Sequence, residues 1–114
     1  MSRKYKFHDQ SFPYFVSFAV VYWIDVFIRN EYKDLLLESL EYCQQQKGLE
    51  VYAWCIMTSH VHLIIGTHYL PMQDILRDFK RFTSSKLRDE ISANPTESRK
   101  EWMLWMMERA GKKN

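Results

Sequence analysis

The chain has 114 residues, 46% of them hydrophobic and 26% charged, which suits one domain and excludes a disordered tail. Its formal net charge of +2 permits nucleic-acid binding, and argues for it only where basic residues cluster. Cys43 and Cys55 stand outside any CxxC pair, which excludes a zinc ribbon and a thioredoxin-like motif. No stretch approaches a signal h-region or a membrane span, so a soluble, cytoplasmic protein with reduced thiols is expected.

Residues 1–10 are polar and basic and read as an arm. Residues 12–23 are rich in β-branched and aromatic side chains, and Pro13 belongs at a strand start or edge, so a strand is expected from about Tyr14. Its nearly continuous apolar run implies burial on both faces. Asn30 is expected to cap a helix from Glu31, with Leu35, Leu36, Leu40 and Cys43 inward and Glu31, Asp34, Glu38 and Glu41 toward water. Lys47-Gly48 supplies a basic last turn and a glycine stop.

Residues 49–57 and 60–67 read as two strands of a hairpin around the polar break Thr58-Ser59. Pro71 is acceptable in the first turn of a helix, whose apolar stripe is Ile75, Leu76, Phe79, Phe82 and Leu87 and which runs to about Ile91. Asn94-Pro95 ends it, and a further helix is expected from Thr96, with Trp102, Met103, Leu104, Trp105 and Met106 crowded within it. The order strand, helix, strand, strand, helix, helix predicts an α+β fold. It covers most of a ferredoxin-like βαββαβ unit, a two-layer sandwich with an antiparallel sheet, whose final strand is not reached. A missing strand would leave a sheet edge uncovered.

His60-Val61-His62 is the motif that carries chemistry. Side chains alternate on a strand, so both rings project from one face while Val61, Leu63 and Ile65 point to the other. Two adjacent imidazoles hold a divalent cation when a third ligand comes from elsewhere. The plain alternative is two histidines half-buried beside a turn. The H-x-H-x-H of histidine-triad nucleotide hydrolases does not fit, because Ile64 stands at the third position. His8 and His68 have no spacing partner.

Residues 52–65, Tyr-Ala-Trp-Cys-Ile-Met-Thr-Ser-His-Val-His-Leu-Ile-Ile, resemble the signature of IS200-like transposases, the single-tyrosine branch of the HUH class. The same residues also resemble the REP-associated tyrosine transposase branch. Trp23-Ile24-Asp25-Val26-Phe27 with Arg29 resembles the block after that family's first strand. Residues 76–84 resemble its basic helix, and Ser98-Arg99-Lys100-Glu101-Trp102 resembles a segment of one branch. Thr58-Ser59 replaces the Pro-Asn common before the first histidine.

The resemblance implies DNA transposition by nicking and joining single-stranded DNA hairpins. A tyrosine hydroxyl attacks a phosphodiester, a 5′-phosphotyrosine forms and a 3′-hydroxyl leaves. It implies a Mg²⁺ or Mn²⁺ ion on His60 and His62 that stabilises the phosphate's charge. In the family the nucleophile lies on a helix downstream of the basic helix, with an amide metal ligand one turn on. That helix is expected beyond Asn114, so no tyrosine of this chain, Tyr69 and Tyr52 included, is assigned as nucleophile.

DNA contact is expected from Arg77, Lys80, Arg81, Ser84 and Arg88, which repeat at three- and four-residue steps, with Arg3, Lys4 and Lys6 adding an arm. A homodimer is expected from the uncovered edge and the apolar cluster at residues 102–107. A non-catalytic DNA-binding remnant of such a transposase and an unrelated small metalloenzyme are the competing readings.

Overall fold

The computed structural model describes residues 9–113. The expected basic arm, with Arg3, Lys4, Lys6 and His8, falls outside the described residues. Among them the fold is mixed α+β, with strands β1 (Tyr14–Ala19), β2 (Leu49–Ile56) and β3 (His60–Thr67) and helices α1 (Asn30–Lys47), α2 (Met72–Ala93) and α3 (Lys100–Lys113). Two 3-10 turns, Val21–Trp23 and Val26–Ile28, connect β1 to α1. The sheet is antiparallel in the order β1-β3-β2.

The strand carrying the two histidines is therefore the central one. Its alternation sorts the sheet into two faces. Val61, Leu63 and Ile65 are buried with Val16 against Leu36 and Leu40 of α1 and Ile75, Leu76 and Phe79 of α2. The other face carries His60, His62 and Ile64, with Phe15 and Ser17 across the ladder on β1 and Cys55 and Ala53 on β2. Among the described residues no helix covers that face, and Phe15 is 65% exposed.

The first strand thus differs from the expected one in two ways. It ends at Ala19 rather than running toward Trp23, and only one of its faces is buried. The apolar run continues because residues 20–28 fold back as tight turns that bury Ile24, Val26 and Phe27 in the same core. An apolar run reports burial, and here both a strand and an irregular segment satisfy it.

Other boundaries shift for local reasons. Arg29, not Asn30, is the N-cap of α1, and no side chain bonds there. Gly48 closes that helix in the left-handed region at φ 79°, donating its N–H to the Cys43 carbonyl. A Cβ at Gly48 would also lie 2.8 Å from the Tyr69 backbone nitrogen, so only glycine fits both the dihedral and the space.

On α2 the buried stripe is Met72, Ile75, Leu76, Phe79, Thr83, Leu87 and Ile91. Phe82 lies outside it, 49% exposed and stacked on Tyr42. A single helical step separates Phe82 from Thr83, and the helix turns the smaller residue inward.

The expected helix from Thr96 starts instead at Lys100. The Asn94 side-chain oxygen accepts from the Thr96 N–H and hydroxyl, an Asx turn that occupies the chain there. It also delivers Glu97 to the interior, with its side chain fully covered.

Candidate functional site

The β2–β3 hairpin is closed by the Met57 N–H donating to the His60 carbonyl at 2.8 Å, so Thr58 and Ser59 form a two-residue turn and His60 opens the strand. Both imidazoles are half-buried and lie face to face, 6.3 Å apart and 1° from parallel. Each is held by a serine. His60 Nδ1 lies 2.8 Å from Ser59 Oγ and His62 Nδ1 lies 2.8 Å from Ser17 Oγ. In the tautomer that donates Nδ1–H to the serine oxygen, each Nε2 keeps its lone pair for a cation.

The pair supplies two of the donors a divalent cation needs. Among the described residues no three His, Cys, Asp or Glu side chains gather as a complete metal site. By donor type the residues present fit such an ion as a partial ligand set; at 6.3 Å apart the parallel rings must turn toward each other for both Nε2 atoms to reach one ion, and a further donor completes the set.

The connection from β1 to α1 is docked on the hairpin turn itself. The Val20 N–H donates to the Ser59 carbonyl and the Phe27 N–H to the Thr58 carbonyl, both at 2.9 Å. Between those anchors the chain makes a strained turn, with Tyr22 at φ 55° and Trp23 at φ 57°. Consecutive bulky residues in the left-handed region cost about 1–3 kcal/mol each and persist only when their surroundings hold them. The turn sets the Trp23 ring edge-on to His60 at 4.3 Å. Nothing in the sequence marks Trp23, Ser17 or Ser59 as neighbours of the histidines, except that Ser59 precedes His60.

A buried ion network holds the far side of that connection. Arg99 bridges Asp25 and Glu97, and Arg29 and the Tyr32 hydroxyl both donate to Glu97 Oε1. Burial works against the Glu97 carboxylate. The Arg99 N–H, the Tyr32 hydroxyl and the Arg99 guanidinium overcome it, leaving the carboxyl below its ordinary value.

The basic residues of α2 do not form one uniform rail. Arg77 pairs with Asp74 and Asp78, each at 3.3 Å, so much of its charge is already met. Lys80 reaches over the Phe18 ring at 5.5 Å. Arg81 and Arg88 are exposed and make no ion pair among the described residues. Lys80, Arg81, Ser84 and Arg88 line a groove of about 550 Å³ with an apolar floor that includes Phe18, Phe79 and Leu87. Thr83 in its wall has a buried hydroxyl with no partner among the described residues.

This groove lies on the helix side of the sheet, opposite the histidines. Its lining includes Ala19, Val20 and Val21 at the end of β1, where Ala19 pairs with His60. The histidines and the basic groove therefore meet around one end of the sheet.

The tyrosines are spread through the fold. The Tyr14 hydroxyl donates to the Asp9 carbonyl, and Tyr14 pairs with Ile65 at the end of the sheet away from His60. Tyr32 is buried on Glu97, and Tyr52 donates to Glu50 at 2.8 Å. Tyr69 lies past the far end of β3, whose last residue Thr67 is about 16 Å along the strand from His62 at ~3.3 Å per residue. Tyr22, beside Trp23 in the strained turn and 44% exposed, is the tyrosine that the β1–α1 connection carries toward the His60 end.

No helix of the described residues is long and apolar enough to cross a membrane. Compared with protein families, the chain matches the one described as "Transposase IS200 like" over residues 12–108. That span takes in β1, both histidines, the basic helix and most of α3. None of the curated proteins compared with the chain matches it.

Proposed function

This chain belongs to the IS200-like transposase family, and from that premise we propose that it binds single-stranded DNA hairpins for metal-dependent nicking and joining. The observation that carries the reading is the His60/His62 pair. Both rings stand on the uncovered face of the sheet, at the end where the basic groove begins, each with Nδ1 engaged by a serine. We assign His60 and His62 as two ligands of a Mg²⁺ or Mn²⁺ ion, which when bound would stabilise the charge of a scissile phosphate. Ser17 and Ser59 orient those ligands.

In this reading the chain is one domain, a ferredoxin-like sandwich of the REP-associated branch. The sheet order β1-β3-β2, with α1 and α2 sharing one core, supports the ferredoxin-like arrangement, while the branch rests on the sequence resemblance. We assign no tyrosine of the described residues as the nucleophile, and no third metal ligand among their His, Cys, Asp and Glu side chains. None of the tyrosine hydroxyls with an assigned partner is turned to the histidines.

A homodimer fits the same picture. β1 and β2 are edge strands among the described residues, and Trp102 and Trp105 are about half exposed on α3. Sedimentation at about 10 µM, where a modest interface is occupied, is expected to show a dimer. A monomer there counts against it.

Arg81, Arg88, Lys80 and Ser84 are the DNA contacts of the groove, with Arg77 contributing less because two carboxylates already face it. For single strands the salt slope falls by about 0.7 for each phosphate that is no longer neutralised. Arg81→Ala with Arg88→Ala is therefore expected to flatten the log affinity–log salt plot for a DNA hairpin with unpaired flanks. Arg77→Ala should leave it nearly unchanged. An unaltered slope in the double variant would show that this face is merely solvated.

A further inference from the structure

On the uncovered face the histidines are the middle of a row of four rings. Trp23 meets His60 edge-on at 4.3 Å, His60 and His62 are parallel, and Phe15 stacks on His62 at 5.8 Å and 16°. The two end rings are among the most exposed large apolar side chains of the fold, Trp23 at 70% and Phe15 at 65%. An exposed tryptophan gains little by burial, so its strained backbone is not explained by packing. The chain instead bears that strain while the Val20–Ser59 and Phe27–Thr58 hydrogen bonds hold the turn against the hairpin. The outcome is an indole fixed at one end of the histidine pair. An edge contact occupies at most one of its faces, and stacking on His62 likewise leaves one face of Phe15 open.

We infer that Trp23 and Phe15 are base-stacking residues that take the unpaired nucleobases on either side of the phosphate held at His60 and His62. This rests on the single-stranded-DNA reading above and adds to it which side chains grip the strand. Every nucleobase offers a π-face, so such platforms position a strand without reading its sequence. A phosphate between two stacked bases is then centred over the imidazoles. Trp23 is the stronger platform, because the turn that carries it is anchored to the hairpin at Val20 and Phe27 and its ring is the larger.

The test measures affinity at low salt, with no metal added, for a DNA hairpin bearing an unpaired oligothymidine flank. Copies of the probe carry one abasic position in the flank, moved along it in turn. One stacked base is expected to contribute about 5- to 150-fold in affinity, so at least one abasic position should weaken wild-type binding by that factor. Trp23→Ala should lose a similar factor and become indifferent to that position. Trp23→Phe should restore part of the discrimination, and Phe15→Ala should become indifferent to a different position. Unchanged far-ultraviolet circular dichroism shows that each variant is folded. A folded Trp23→Ala that keeps wild-type affinity and wild-type sensitivity to every abasic position overturns the inference. Wild-type protein that binds none of the probes overturns the single-stranded-DNA reading itself, a separate result from loss of discrimination at one position.

Discussion

Glu97→Ala is expected to lower the free energy of unfolding by about 3 kcal/mol, the low end for removing one partner of a buried ion pair. The low end applies because Arg29 and Arg99 keep 29% and 27% of their side chains exposed and can regain some water, whereas Glu97 has none exposed. Four donors lose this acceptor together, namely the Arg29 and Arg99 guanidinium groups, the Arg99 backbone N–H and the Tyr32 hydroxyl. For a domain of this size the thermal midpoint should fall by about 12 °C or more. The effect also has a pH signature. The folded carboxyl lies below its ordinary value, so its contribution is fully present above the ordinary glutamate value and is lost as pH falls through the folded one. The gap between wild type and Glu97→Ala should therefore be constant near neutrality and close in acid. Urea unfolding at several pH values checks this, and a variant within about 0.5 kcal/mol of wild type at pH 7 would show that the network is incidental.

That network was not visible in the sequence. Glu97 sits among polar residues in a stretch that reads as the start of a solvated helix, and only the Asx turn at Asn94 carries it inward. What could be read was local. Alternation put His60 and His62 on one face, Gly48 stopped a helix, and Thr58-Ser59 closed a hairpin, each through chemistry within a few residues. Contacts between distant segments left no such trace. Trp23 meets His60 because backbone groups at positions 20 and 27 bond to positions 59 and 58, and a hydrogen bond between main-chain atoms imposes no residue type. Phe82 misled for a related reason. Helical spacing places it next to the apolar stripe, and only the packing of α1 against α2 decides that Thr83 faces in and Phe82 stacks outside on Tyr42. The basic residues of α2 were legible as a set. Their inequality was not, since the pairing of Arg77 with Asp74 and Asp78 is a matter of rotamers.

The largest effect should be all-or-none. Incubated with labelled single-stranded hairpin DNA and Mn²⁺, this chain is expected to bind the DNA and form no covalent adduct on a denaturing gel. The covalent step forms a bond from a tyrosine oxygen to phosphorus and breaks the bond from phosphorus to the 3′-oxygen, which leaves with a proton as a hydroxyl. It requires the phenol within contact of a phosphate at His60 and His62 and in line with the leaving oxygen. Among the described tyrosines, Tyr69 stands at the wrong end of β3, Tyr32 is sealed in the core, Tyr42 stacks on Phe82 of α2, and Tyr14 and Tyr52 donate to oxygens elsewhere; Tyr22 alone lies toward the His60 end, on a turn rather than on a helix. A protein extended by a helix bearing a tyrosine, with an amide side chain one turn on, should form the adduct. Replacing His60 and His62 together by Ala in that protein should abolish it while DNA binding through the α2 groove persists, because the groove lies on the other side of the sheet. An adduct from the present chain would place the nucleophile within it. Tyr22, next to Trp23 and carried toward the His60 end of the sheet, would then be the first residue to replace by Phe. Failure of every extended protein to form an adduct, with hairpin binding intact, would make the molecule a DNA-binding remnant whose histidines no longer serve strand transfer.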